Sequence, residues 1–391
     1  MRIAHIGDVH WGLGYPGPTP QSRFEDITRV MDWVADRIIE EQCNLVLFAG
    51  DAFKDARVFL DRASVEIKAF ADWLRKVTAA GIPVIAISGT PSHDAISAYR
   101  LIQDMQIPGV TILTEPGVVH HKGLSIACLP GMSRSALVTQ EEYRDLPTHV
   151  IHHIMTDKIK DICQGLRAQC ENLAVLLAHL TYDLANKGFE DVLMQHEPVL
   201  TKEAIQGFDL VCLGHIHRPQ QNGRVFYCGS PERLSFNDEQ ITPGFWIHEF
   251  NLAMFRQMTN PIKSRFIETP ARPFVTATWE DWVVEGFIKG RKPGPGFKDA
   301  VVRLWYSCSE ELAKQMDRKA LERALYEVGA FYVAEIKADI QRIDRVRDQG
   351  VTETLGPVEA LARWAKQHNI PDNEIEALQA MTAGLLEEVT I

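Results

Sequence analysis

The sequence predicts an α/β protein built on a largely parallel inner sheet, followed by a smaller α+β region and a helical tail. Three observations carry this. Apolar runs alternate with amphipathic helical segments through residues 1–130, the pattern of βαβ units. Several of those runs, and two later ones, stop at Gly, Asp or His, as strands do when they lead into a site at one edge of a sheet. Beyond about residue 260 shorter strands follow, and residues 352–391 carry two apolar stripes at helical spacing.

Taken in order, Arg2 to Ile6 reads as a strand that runs out into Gly7-Asp8-Val9-His10. Phe24, Ile27, Met31, Val34 and Ile38 recur at three- and four-residue steps and predict a helix over about 22–42. Asn44 to Ala49 is a buried strand ending in Gly50-Asp51. Val65, Phe70, Trp73, Leu74 and Val77 mark a second helix, over about 61–78, closed by Gly81-Ile82-Pro83. The strand Val84 to Ile87 leads into Ser88-Gly89-Thr90-Pro91-Ser92-His93-Asp94, and a helix is expected over about 95–105. Shorter strands follow at Gly117 to His121 and Leu124 to Leu129, then a polar helical region over about 140–172. Leu173 to Ala178 delivers His179, and Asp209 to Leu213 delivers Gly214-His215-Ile216-His217. Val225 to Cys228 and Phe245 to Phe250 close this region, with a boundary expected near 260, at Asn260-Pro261.

The second region, about 262–345, offers strands at Arg265 to Ile267, Phe274 to Trp279, Val301 to Tyr306 and Phe331 to Ile340, with one helix near 310–328. Lys289 to Lys298 is basic and rich in glycine and proline, the composition of a loop. In the tail, Val358, Leu361, Ala362, Trp364 and Ala365 form one stripe; Ile375, Leu378, Met381, Leu385 and Leu386 form another. The two helices they predict break at Asn369-Ile370-Pro371.

At 391 residues the chain exceeds one compact domain and is expected to form two or three. Its 46% hydrophobic and 24% charged content is ordinary for a soluble globular protein. No apolar stretch approaches the roughly 18 residues of a membrane span. The N-terminus enters a strand at once and lacks the apolar core and cleavage site of a signal peptide. The seven cysteines contain no Cys-x-x-Cys, and several sit in apolar runs. Reduced, buried thiols in a cytoplasmic protein are therefore expected. A formal net charge of −11 gives no global attraction to polyanions, so local basic groups or bound metal must hold any such substrate.

The strand ends supply the chemistry. Asp8 with His10, Asp51, His93 with Asp94, His179, and His215 with His217 come from five separate predicted strands. Residues two apart on an extended backbone point to the same side, so Asp8 and His10, or His215 and His217, can face one spot. Carboxylates and imidazoles without thiolates suit manganese, iron or zinc rather than calcium. Two Asp and four His exceed the needs of one ion; two ions sharing Asp51, about 3.5–4 Å apart, fit the count. Such a pair binds a phosphoryl group and clamps an in-line displacement. His93 is the candidate to protonate the leaving alcohol; Asp94 either orients His93 or caps the following helix.

Asp-x-His, Gly-Asp, a block ending in His-Asp, an isolated His after a strand and Gly-His-x-His together resemble the calcineurin-like metallophosphoesterases. Tyr227-Cys-Gly-Ser-Pro-Glu-Arg-Leu-Ser-Phe-Asn237, followed by Gly244-Phe-Trp246, is similar to the SbcD-type DNA repair nucleases within that superfamily, as is Arg272-Pro-Phe274. The resemblance implies a sandwich of two sheets flanked by helices over residues 1–260, a DNA-facing cap over 261–345 and an ATPase-binding helical tail over 352–391. It implies a manganese-dependent exonuclease and single-strand endonuclease that works with an SbcC-type coiled-coil ATPase. Magnesium, iron or zinc are the other metals such a site takes. It assigns one ion to Asp8, His10, Asp51 and His217, and the other to Asp51, His179, His215 and the residue before His93. There the chain departs from the family's Gly-Asn-His-Asp: Thr90-Pro91-Ser92 separates Gly89 from His93, so Ser92 stands in the Asn slot with two residues inserted. A serine hydroxyl is a poorer, shorter ligand than an amide oxygen, and Thr90 replaces it only if the loop folds back.

Arg233, Lys289, Arg291 and Lys292 are the expected DNA contacts. The resemblance also places a two-fold homodimer interface on the helices at 61–78 and 95–105, with Phe59, Leu60, Ala63 and Leu101 as contacts. Two other functions compete: a phosphoesterase acting on a small phosphodiester or phosphoprotein, which the net acidity favours, and a weakened scaffold subunit, prompted by Ser92.

Overall fold

The computed structural model describes residues 1–56, 64–92, 94–132, 143, 146–171, 173–188, 197–251, 262–341 and 355–389, the last three by backbone alone. In chain order the elements begin with β1 (Arg2–Ile6), α1 (Pro20–Glu40), β2 (Leu45–Phe48), α2 (Ser64–Ala79), β3 (Val84–Ile87), α3 (Ile96–Asp104) and β4 (Val110–Leu113). Then come β5 (Gly117–His121), β6 (Leu124–Leu129), α4 (Thr148–Ala168), β7 (Leu173–His179), β8 (Thr181–Tyr182), β9 (Val199–Leu200) and β10 (Leu210–Gly214). β11 (Gln220–Asn222), β12 (Val225–Tyr227), β13 (Gly244–Phe250) and β14 (Ile262–Glu268) follow. The remainder is β15 (Phe274–Trp279), α5 (Asp281–Ile288), β16 (Val301–Ser309), α6 (Glu310–Gln315), α7 (Arg318–Glu327), β17 (Tyr332–Gln341), α8 (Pro357–Gln367) and α9 (Asp372–Val389).

Two six-stranded sheets form the frame, in the orders β14-β13-β1-β2-β3-β4 and β11-β12-β10-β7-β6-β5. Each has four parallel strands at its heart, β1 to β4 in one and β6, β7, β10 and β12 in the other. All but the edge strand β4, whose Thr111 is exposed, are buried on both faces, which is why they read as largely apolar runs. Alternation sorts their side chains into separate cores. Ile3, Leu45, Leu47, Leu173, Val175 and Leu177 fill the layer between the sheets. Val46 and Phe48 face α1, α2 and α3, while Leu176 and Ala178 face α4. The architecture is the two-sheet sandwich flanked by helices that the family resemblance implies. α1 starts where the chain allows it: Pro20 stands at its first turn, and Thr19 and Ser22 cap each other's backbone reciprocally.

Contacts divide the chain into two compact units. The first holds Met1–Tyr306 and Asp317–Lys337, the second Ser307–Met316 and Ala338–Ile391. Within the first, β14 is not the start of a new region. It pairs antiparallel with β13 from Gly244↔Glu268 to Phe250↔Ile262, so the first sheet continues past the stretch 252–261, which lies outside the described residues. A third sheet, β15-β16-β17, begins with a parallel β15–β16 pair. One helix was expected near 310–328; Met316 and Asp317 split it into α6 and α7, with the Asp317 carboxylate capping the second. In the second unit α8 and α9 pack on one another and bury Ala365 and Ile375, yet leave Trp364 at 48% and Leu385 at 60% exposure. No helix among the described residues is long and apolar enough to cross a membrane.

Candidate metal centre

Parallel neighbours bring their carboxyl ends together. Asp8 and His10 leave β1 beside Asp51 after β2, and His179 ends β7 in register with Gly214, the residue before His215. Potential ligand atoms of Asp8, Asp51 and His179 lie within 4.8 Å of one another, and all three residues are buried. Asp8 (φ 52°), His10 (54°), Asp51 (49°) and His215 (99°) all adopt left-handed backbone. Each such residue costs about 1–3 kcal/mol and persists only where its surroundings hold it. Here backbone bonds do so: Asp8 N–H donates to Gly50 O (3.0 Å), His10 N–H to Asp51 O (3.1 Å) and Trp11 N–H to Ala52 O (2.8 Å). The two sheets are joined at this point by the His215 N–H, which donates to both Asp8 oxygens at 2.8 and 3.0 Å.

Asp51 stands between two imidazole pairs. His10 and His217 meet edge to face with ring centroids 5.2 Å apart, and His179 and His215 do the same at 5.2 Å. Asp51 Oδ2 lies 3.6 Å from His10 Nε2, whereas its Oδ1 lies 3.3 Å from His179 Nε2. Each oxygen thus faces one member of a different pair, His10 or His179. Oδ1 also accepts the Thr90 N–H at 3.1 Å.

His179 tests whether the site fits a metal. Its Nδ1–H donates to Ala49 O at 2.7 Å, which puts the lone pair on Nε2. That buried Nε2 has no hydrogen-bond partner among the described residues. A buried polar atom left so is costly unless something binds it. With no metal bound, burial draws the imidazole pKa down, but the Asp51 and Asp8 carboxylates prevail and push it up to about 10. Burial likewise holds the Asp8 carboxyl above its usual range. Two carboxylates, with imidazole nitrogens turned towards them, form a donor set that fits divalent metal. The close packing explains the glycines: a Cβ on Gly89 would stand 1.8 Å from Asp51 Oδ1.

The remaining expected residues divide. Asp94 is buried; its Oδ1 accepts N–H bonds from Phe53 (3.2 Å) and Ala95 (3.0 Å), and its Oδ2 one from Gly89 (2.7 Å). It therefore ties the ends of β2 and β3 together. Burial and the nearby Asp51 push its pKa up to about 7. His93 lies outside the described residues. Ser92 is exposed while Thr90 is buried.

Arg233 is half-buried, and its Nη1 donates to Arg272 O at 3.2 Å. Lys289 pairs with Glu285 at 2.6 Å and Lys292 with Glu327 at 3.0 Å, all four side chains exposed. Arg291 is exposed. Leu101 is exposed on α3, while Phe59, Leu60 and Ala63 lie outside the described residues.

Sequence reasoning missed four things. Buried Asp238 places Oδ1 3.9 Å from His217 Nδ1 and closes a reciprocal cap with Ser235, a spacing legible as Ser-x-x-Asp. Buried Glu232 accepts the backbone N–H groups of Arg233 (2.8 Å) and Arg272 (3.1 Å). Buried Arg23 pairs with Asp26 at 2.8 Å and donates to the Arg233 carbonyl; Asp26 in turn receives Arg272 at 2.6 Å through two nitrogens. Glu197 Oε2 lies 2.7 Å from His215 Nε2. The first of these has a local signal; the contacts of Glu232 and Asp26 with Arg272, of Arg23 with Arg233 and of Glu197 with His215 join positions too distant in sequence for any spacing to reveal.

Comparison with known proteins follows the same lines. Residues 1–219 match the model of the calcineurin-like phosphoesterase family. The DNA double-strand break repair protein Mre11 of Aeropyrum pernix is 27% identical over 303 residues, covering 75% of this chain and 62% of that protein. Mre11 of Archaeoglobus fulgidus is 25% identical over 312 residues, covering 74% and 64%. The chain thus spans less than two thirds of the length of these relatives. Among solved structures, GAP50, the anchor in the inner membrane complex of Plasmodium, aligns over 68% of this chain and 84% of its own at 14% identity, with a TM-score of 0.39.

Proposed function

Because the chain belongs to the calcineurin-like phosphoesterase family, we propose that it is a manganese-dependent DNA nuclease. In this reading it is an exonuclease and single-strand endonuclease that hydrolyses phosphodiester bonds with two ions. The observation that carries the two-ion part is Asp51, whose two oxygens face different imidazole pairs. Asp8, His10, Asp51 and His217 would hold one ion, and Asp51, His179 and His215 the other. Similarity to the archaeal Mre11 proteins, whose name includes DNA double-strand break repair, supports DNA as the substrate.

When bound, the ions supply positive charge to the phosphoryl group and acidify water. The protein's own groups do the rest. Ala49 O fixes the His179 tautomer, the His215 N–H orients Asp8, and Asp94 ties Gly89 to Phe53 after β2; His93, its neighbour in the sequence, is the proposed acid for the leaving alcohol. Manganese with a labelled DNA hairpin, and a p-nitrophenyl phosphodiester as control, tests the reading. Cleavage of the hairpin is the expected result. Turnover of the small ester alone would instead support a small-phosphodiester enzyme, which the pairing of Lys289 and Lys292 with glutamates favours.

The tail is proposed as the docking element for an SbcC-type ATPase, and homodimerisation through α2 and α3 as the assembly. Exposed Trp364 and Leu385 support the first, since two short helices leave such groups uncovered unless a partner takes them. Truncation after Gly350 should leave manganese binding and single-strand cleavage intact while abolishing ATPase pull-down. Retained association at full affinity would make the tail structural.

A further inference from the structure

The second ion in the reading above has three of its ligands on strand ends, and the slot for a fourth is where this chain departs from its family. Ser92 is exposed, and the backbone N–H of Thr90, two residues before it, is committed to Asp51 Oδ1. A carboxylate reaches one of the other ligands instead. Glu197 Oε2 is 2.7 Å from His215 Nε2, with the Glu197 side chain 29% and that of His215 6% exposed.

The position of Glu197 follows from the backbone. β8 leaves His179 directly and pairs parallel with β9 in the register Thr181↔Val199 and Tyr182↔Leu200. Asp183 N–H donates to Leu200 O at 3.0 Å and extends that ladder. Glu197 stands two residues before β9, just beyond that ladder, so the pairing anchors this stretch beside the end of β7. Glu197 thus enters the site from the start of β9, and its carboxylate meets His215, the ring partner of His179.

We propose that Glu197 is the fourth protein ligand of the second ion, beside Asp51, His179 and His215; this rests on the two-ion reading. The chemistry agrees. A carboxylate is a harder, charged donor, better suited to manganese than a serine hydroxyl. Two divalent ions over Asp8 and Asp51 leave excess positive charge, which a third carboxylate reduces. Ligands about 2.1 Å from one hard ion and at right angles stand about 3 Å apart, so the 2.7 Å contact needs to open by only a few tenths of an ångström.

The test is a manganese titration of the full-length, metal-stripped chain by calorimetry, with bound metal counted by mass spectrometry and the exchange-coupled manganese pair followed by electron paramagnetic resonance. Wild type should bind two ions. Glu197→Gln should keep the first at wild-type affinity, weaken the second at least tenfold, and lose the coupled signal at two equivalents. Glu197→Asp, a shorter carboxylate, should fall between them, and Ser92→Ala should match wild type. Matching thermal melts of the metal-free variants separate a lost ligand from a lost fold, and Glu197→Asp serves if Glu197→Gln melts early. Two ions at unchanged affinity in Glu197→Gln overturn the proposal and leave the two-ion reading standing, as does weakening confined to Ser92→Ala. Fewer than two ions on wild type overturn both.

Discussion

Two clusters of buried metal-type residues meet at β1, where His5 of one stands three residues before Asp8 of the other. Asp8, Asp51 and His179 form one at the strand ends; His5, Cys212 and His248 form the other, inside the sandwich, with donor atoms equally close. His5 and His179 are both fully buried, yet burial drives His5 down to about 3 while the carboxylates push His179 up to about 10. Burial is common to both, so the carboxylates decide.

Hydrogen bonding separates the groups further. A carbonyl only accepts, so His5 Nε2–H donates to Leu213 O at 3.1 Å, and His5 Nδ1 then accepts from His248 Nε2–H at 3.4 Å. His248 Nδ1 in turn accepts from the Ser264 hydroxyl at 2.8 Å. The inner pair is satisfied and neutral, a connector from β14 across to β10. At the strand ends, His179 Nε2 has no such partner among the described residues. Proximity of metal-type residues therefore does not make a site; unsatisfied donors beside carboxylates do.

The sharpest way to break the comparison is to remove the carboxylate that distinguishes the groups. Asp51→Asn takes away the group between the two imidazole pairs while keeping its shape and the Thr90 N–H contact. Hydrolysis should fall below detection with the circular dichroism melt unchanged. Near-normal manganese-dependent cleavage by this variant would end the shared-ligand reading. A smaller effect is expected at Gly89, where an added Cβ would meet Asp51 Oδ1 at 1.8 Å and Asp51 N at 2.5 Å. Gly89→Ala should displace the carboxylate, weaken manganese binding and cost about 1–3 kcal/mol of stability, as overpacking does. Wild-type values in a manganese titration and a urea melt would show that the loop moves freely.

Much of this was legible in the sequence, because parallel strands buried on both faces are continuous apolar runs with abrupt ends. β3, β5 and β6 fall on their predicted bounds, and each parallel strand that carries a ligand stops at it or just before it. β14 escaped assignment to the first sheet because an edge strand is half-exposed and alternates, so nothing local names its partner. α5 was missed because Trp282-Val283-Val284 and Phe287-Ile288 are strand-like residue types. The Glu-Arg-Leu-Ser-Phe block carries the family resemblance, but its contacts are not legible in it. Its structural content is a buried charge network in which Arg23 reaches Arg233 across 210 positions. Such pairings depend on chain topology and have no sequence period.

The smallest expected effect concerns the inner histidines and acid. The unfolded chain takes up a proton at each imidazole near pH 6.5, whereas the folded chain holds His5 neutral down to about 3. Between those values the unfolded state binds more protons, so stability is complete above about pH 6.5 and drains away as the pH falls through that window. From pH 7 to pH 5 the loss attributable to His5 is about 2 kcal/mol. His248, lowered well below its ordinary value by burial and by its neighbour His5, adds a loss of the same sign. His5→Gln keeps a donor for Leu213 O and cannot titrate. Urea unfolding at pH 7 and pH 5 should therefore show wild type losing more stability than the variant, by about that amount. An equal loss in both would mean that the acid sensitivity arises elsewhere, and that the inner pair is not held neutral by burial.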